Sequence, residues 1–174
     1  MFFFRASNTM RIIGIDPGYA IMGYGIIDKI GNNFAPVTYG AIATSKDMPM
    51  PDRLKHLYQE LTQVIAEYQP EEASIEQLFF NTNTTTAIFV GQARGVAILS
   101  CINLGLFIFE YTPLQIKTSL TGYGRADKKQ VQAMVKMLLN LKSAPKPDDT
   151  ADALAAALCH GYSGDAKKRM FAMK

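Results

Sequence analysis

The sequence predicts an α/β fold: a five-stranded mixed sheet, three antiparallel strands and then parallel ones, with helices on both faces. Two observations predict it. Three β-rich runs follow one another near the start, separated only by short turns, which is hairpin spacing. A helical segment then precedes each later β-run, supplying the crossover that parallel strands require. The resulting order, βββαβαβα with further helices, is that of a single sheet covered on both sides.

Residues 11–16, 21–28 and 34–43 read as the hairpin strands. They are rich in Ile, Val, Tyr and Phe and are broken by Pro17-Gly18 and Gly31-Asn32-Asn33, residues that favour tight turns. From Pro51 to Tyr68, Leu54, Leu57, Tyr58, Leu61, Val64, Ile65 and Tyr68 recur at helical spacing, and Pro70 closes the run. One apolar face therefore packs on the sheet. Residues 72–76 form the fourth strand. Thr84 to Asn103 reads as a long, largely buried helix in which Gly91 and Gly95 lie four apart. Glycine costs helix propensity, so close approach by another backbone is a reasonable purpose. Residues 106–111 form the fifth strand, and helices follow at 113–120, 128–139 and 148–162. Thr121 to Ala126 is a flexible, basic loop. Residues 1–9 are expected to be a floppy extension, 10–163 a single domain, and 164–174 a frayed basic tail.

A chain of 174 residues with 48% hydrophobic and 19% charged content can bury a sizeable core. No unbroken apolar run approaches the ~18 residues of a membrane span, and a cytoplasmic protein with no membrane association is expected. Cys101 and Cys159 lie in apolar stretches and read as buried free thiols. Two histidines and no paired Cys motif exclude the usual zinc cluster. The net charge of +3 is unevenly spread. Residues 1–116 hold 7 Lys and Arg against 10 Asp and Glu, whereas residues 117–174 hold 11 against 5. A basic half around an acidic cluster suits a polyanion lying over a metal site.

That cluster is Asp16, Glu76, Asp149 and Asp152. Asp16 ends the first strand and Glu76 the fourth, while Asp149 and Asp152 stand three apart at the start of a helix rich in Ala and Leu. Singly, each has an ordinary explanation: Asp16 terminates a strand, and Asp149 suits a helix N-terminus. Asp152 fits less well, because a nearly unbroken apolar helix follows it. Gathered in one crevice, the four would repel one another unless a divalent cation neutralised them. Oxygen ligands suit Mg²⁺ or Mn²⁺, in one or two ions per subunit, and phosphate oxygens would complete the shell. The reaction indicated is in-line hydrolysis at phosphorus. Neither a G-x-x-x-x-G-K-[ST] loop nor a G-x-S-x-G elbow is present. His56 reads as a surface residue and His160 as structural.

Four blocks then carry a family resemblance: Met10 to Gly18 with Gly23-Tyr24-Gly25; Ile75-Glu76-Gln77-Leu78-Phe79; Gly91 to Ala97; and Ala151-Asp152-Ala153-Leu154-Ala155. In this order, over residues 10–163, the chain resembles the RuvC Holliday-junction resolvases. The resemblance implies a ribonuclease H-like fold and a homodimer. It implies Mg²⁺-dependent resolution of four-way DNA junctions by two symmetric nicks, and work alongside the RuvA–RuvB branch-migration complex. By position, Asp16, Glu76, Asp149 and Asp152 match the family's catalytic carboxylates. Phe79 matches an aromatic that stacks on bases opened at the crossover. Lys117 and Lys128 match basic residues near the cleaved phosphate. Arg125 and Lys129 are read as further DNA contacts. Asp148 is an extra acid beside the third ligand, and the three-residue spacing to Asp152 favours Asp149. Two other readings stand beside this one: a nuclease of the same fold cutting RNA–DNA hybrids, and a non-catalytic junction-binding module.

Overall fold

The computed structural model describes residues 9–77 and 84–172. In chain order these form β1 (Thr9–Asp16), β2 (Ile21–Ile30), β3 (Asn33–Ala43), α1 (Met50–Tyr68), β4 (Glu72–Glu76), α2 (Thr84–Asn103), β5 (Phe107–Tyr111), α3 (Pro113–Thr121), α4 (Lys128–Leu138) and α5 (Asp148–Ala172). Of the extension expected at residues 1–9, Thr9 belongs to β1; the rest of it and the expected stacking residue Phe79 lie outside the described residues.

The strands form one sheet in the order β3-β2-β1-β4-β5. The β1/β2 and β2/β3 pairs are antiparallel, and β1/β4 and β4/β5 are parallel, as the turn and crossover lengths predict. Side chains alternate across the sheet with period two. On β1, Ile13 and Ile15 join the core formed with α1 and α2, including Leu57, Leu61, Ala93 and Ala97. Ile12 faces the other way, into the core of α3, α4 and α5. Gly14 and Asp16 share the Ile12 face by the same alternation.

α5 lies almost directly on that face. A Cβ at Gly14 would overlap the Ala153 carbonyl, one at Gly23 the Asp149 carbonyl, and one at Gly25 the Leu154 side chain. Glycine here serves close approach, and the facing helix is correspondingly built of Ala153, Ala156 and Ala157, all buried. Along β4, Glu72, Ser74 and Glu76 point to the same side. Two strand residues advance about 6.6 Å and four helical residues about 6 Å, so β4 and an antiparallel α5 stay in step. Glu72 Oε2 lies 2.7 Å from His160 Nε2, and Ser74 Oγ donates to the Ala156 carbonyl at 2.7 Å. Asp152, four residues before Ala156, is thereby delivered to Glu76. His160 is structural, as expected. It is fully buried, its Nδ1 lies 2.7 Å from the Tyr111 hydroxyl, and it stacks on Phe109.

Three expectations need correction. α2 is not largely buried. Ala93, Ala97, Ser100 and Cys101 are buried, but the opposite stripe of Ile88, Leu99 and Ile102 is exposed, and a Cβ at Gly91 or Gly95 would meet nothing within 4 Å. The helix is apolar nearly all round, so its sequence could not say which face packs. Its stretch Thr86–Asn103 is also long and apolar enough to cross a membrane. Arg94, however, makes an ion pair with Glu110 of β5, and the inner face belongs to the core. Finally, α5 continues to Ala172 through most of the stretch expected to fray. Gly161 and Gly164 do not end it; they admit the rings of Phe34 and His160. Cys101 and Cys159 are buried free thiols, and burial pushes the Cys101 thiol up to about 12.

Candidate active site

Strand ends and a helix start build the site. Asp16 is the last residue of β1 and Glu76 the last of β4, and these neighbouring parallel strands end on the same side of the sheet. Asp149 and Asp152 stand in the first turns of α5, whose start is pressed onto β2 at Gly23, the partner of Asp16 in the sheet. A cavity of about 260 Å³ opens beside them, lined by Glu76, Lys117, Lys128 and Asp152 with Pro113, Ile116, Val131 and Ala155. Lys117 projects from α3, whose start is fixed by a reciprocal capping box between Thr112 and Gln115. Lys128 is the first residue of α4, set there by a second box between Asp127 and Gln130. Such boxes satisfy two otherwise orphaned N–H groups and fix where a helix begins.

The electrostatics show that the carboxylates share one environment. Asp16 is pushed up to about 7, first by burial and then by the charges of Asp152, Glu76 and Asp149, with Lys128 opposing. Burial and Asp152 raise Glu76, against the pull of Lys117 and Lys128. Asp152 is raised by burial and by Asp149 and Asp148, although its hydrogen bond to Lys128 draws it down. Burial alone would lower Lys128, but Asp152 and then Asp148 outweigh it and raise the ammonium pKa. Lys128 Nζ lies 3.0 Å from Asp152 and 3.5 Å from Asp148.

With an ammonium already on Asp152, the described His, Cys, Asp and Glu side chains form no group of three poised to hold an ion. The donor set nevertheless fits a hard divalent cation, being all carboxylate oxygen, and ion binding would relieve the repulsion that raises Asp16.

A family model described as crossover junction endodeoxyribonuclease RuvC matches residues 12–160. The chain belongs to the RuvC family. It is 60% identical over 156 residues to the RuvC crossover junction endodeoxyribonuclease of Alkaliphilus oremlandii, covering 90% of this chain and 95% of that one. It is 57% identical over 161 residues to that of Desulfitobacterium hafniense, covering 92% and 98%. Among solved structures, Thermus thermophilus RuvC superposes with a TM-score of 0.84 at 32% identity, over 91% of this chain and 97% of that one. T. thermophilus RuvC in complex with a Holliday junction substrate gives 0.82 at 30%, over 90% and 96%. The ribonuclease H-like sheet implied by the resemblance is the fold observed.

Within this RuvC chain the structure brings Asp16, Glu76, Asp149, Asp152, Lys117 and Lys128 together. Asp149 acts on Asp16, whereas Asp148 is not among the charges that do. Arg125 and Lys129 are exposed beside the crevice's α3–α4 margin. The loop there is a defined turn: Gly122 takes φ 71°, Thr121 Oγ1 accepts from the Tyr123 N–H, and Ala126 is buried. Sequence reasoning missed Gln132, whose side-chain amide donates to Asp148 Oδ1 at 2.9 Å. The available signal was its place one helical turn after Lys128.

Proposed function

We propose that this chain resolves four-way DNA junctions, each subunit of a homodimer hydrolysing one phosphodiester. The observation that carries this reading is the convergence of Asp16, Glu76, Asp149 and Asp152 with Lys117 and Lys128 at one crevice in a RuvC-family chain. Bound there, Mg²⁺, for which Mn²⁺ substitutes, supplies an activated water and stabilises charge on the phosphate. Asp16 and Glu76 at the strand ends, with Asp149 and Asp152 at the start of α5, would hold the cation. Lys117 and Lys128 bind the phosphate oxygens and offset their developing charge. The water oxygen bonds to phosphorus as the bond to the 3′ oxygen breaks, leaving a 5′-phosphate and, once that oxygen takes a proton, a 3′-hydroxyl. Phe79 stacks on a base at the crossover, and Arg125 and Lys129 extend the phosphate-binding surface.

A panel of four-way junction, plain duplex and RNA–DNA hybrid, each with Mg²⁺, tests the reading. Paired nicks confined to the junction are expected, and preferential cutting of the hybrid overturns it. Junction affinity is also expected to fall by about a thousandfold between 50 and 200 mM salt, as for a protein neutralising some six or more phosphates. A flat titration by fluorescence anisotropy removes the basic half from the binding surface.

The dimer would form through α2. Ile88, Leu99 and Ile102 are exposed, and Gly91 and Gly95, on the same stripe, leave room for a second backbone. Ile102→Arg is expected to yield a folded monomer in sedimentation equilibrium and single nicks in place of paired ones; an unchanged dimer rejects this face. Cytoplasmic location and coupling to RuvA–RuvB complete the proposal.

A further inference from the structure

We propose that Asp148 is a positioning residue for Lys128, and that the Lys128 ammonium is an internal stand-in which an incoming divalent cation displaces from Asp152. The proposal rests on the site reading above. Lys128 and Gln132 lie one turn apart on α4 and face the start of α5. Gln132 Nε2 holds Asp148 Oδ1 at 2.9 Å, leaving Oδ2 3.5 Å from Lys128 Nζ. The same ammonium lies 3.0 Å from Asp152, so one cation bridges two acids of unlike setting. Asp152 is inside the crevice and 28% exposed; Asp148 is at its rim and 59% exposed.

The two acids therefore have different parts. Asp152 faces Glu76 and Asp16 across the crevice and gains more from a divalent ion than from one shared ammonium. Asp148 is not among the charges that act on Asp16 or Glu76, and its side chain is held from α4. Its carboxylate, braced by Gln132, keeps the released ammonium beside Lys117 instead of letting it extend into water. A half-exposed lysine has ample rotamer freedom to lose, and the bracket limits that freedom before substrate arrives.

Two experiments decide the matter. In calorimetric titration of the DNA-free protein with Mg²⁺, Lys128→Ala is expected to tighten binding by about three- to tenfold, because a competing charge is gone. In single-turnover junction cleavage, Asp148→Asn is expected to slow the parent by about two- to fivefold at saturating junction, the scale of an exposed ion pair. It should slow a Lys128→Ala protein no further, and Asp148→Glu should restore most of the rate. Unchanged or weaker Mg²⁺ binding by Lys128→Ala overturns the displacement. Equal slowing in both backgrounds, or none in the parent, overturns the positioning role. A parent that binds Mg²⁺ but never cuts junctions instead refutes the functional reading, while the calorimetric comparison still decides whether Lys128 competes.

Discussion

Asp16→Asn is expected to reduce junction cutting by a thousandfold or more, on the order of the loss when a charge-stabilising group is removed from a hydrolytic site. Junction binding should persist or tighten, since the substitution removes a negative charge beside the phosphate. The same variant should be more stable than the parent without metal, and the sign follows from the pKa. The folded protein holds the Asp16 proton up to about 7, against an ordinary carboxyl value of 3.8. Stability is thus fully present below pH 4 and falls as pH rises towards 7, because the folded chain binds the proton more tightly than the unfolded one. At about 1.36 kcal/mol per pKa unit the loss amounts to a few kcal/mol at most. With chelator present, thermal melts should place Asp16→Asn above the parent at pH 8 and level with it near pH 4. Mg²⁺ should raise the parent's melting temperature more than the variant's. A variant that cuts normally removes Asp16 from the site, and one that is folded but neither binds nor cuts makes it structural.

The difference between Asp16 and Asp148 shows what the sequence could convey. Asp16 ends a short apolar run and precedes Pro17-Gly18, so its position at the end of a strand was legible from local pattern alone. The order of strands and crossovers then placed Glu76 beside it, since parallel neighbours end together. Asp148 differs from Asp149 by one helical step, about 100° around the axis; the spacing to Asp152 favoured Asp149, but spacing alone does not say which of the two faces the sheet. That depends on how α5 seats against Gly23, a tertiary contact. The same limit hid the exposed side of α2. Its apolar residues surround the helix, and only packing against α1 and the sheet separates Ala97 from Leu99. The continuation of α5 was concealed because Gly161 and Gly164 look like helix-ending residues until Phe34 and His160 fill the space beside them.

The second large effect is expected from a residue with no polar side chain. Gly14→Ala should destabilise the protein by about 3 kcal/mol, the upper range for an added methyl in a packed core. The new Cβ would overlap the Ala153 carbonyl and crowd the Ala157 N–H, which are backbone atoms of α5 that no rotamer change can move aside. Relief requires the helix to lift from β1 and β2, and Asp149 and Asp152 must move with it. A shift of about 1 Å at a catalytic group can cost two orders of magnitude in rate, so cutting per folded molecule should fall well beyond the loss of folded protein. Ile13→Val on the same strand supplies the comparison. Ile13 faces α1 and α2 instead, and its lost methyl should cost about 0.5–1.5 kcal/mol while leaving α5 seated. Urea denaturation gives the two stabilities and single-turnover cleavage gives the two rates. If Gly14→Ala cuts as fast as Ile13→Val when both are mostly folded, the seating of α5 does not set the carboxylate geometry. If it cuts far more slowly, the spacing of the acids is fixed by the closeness of a helix to a sheet, and a glycine that touches no substrate is as necessary to the site as its ligands.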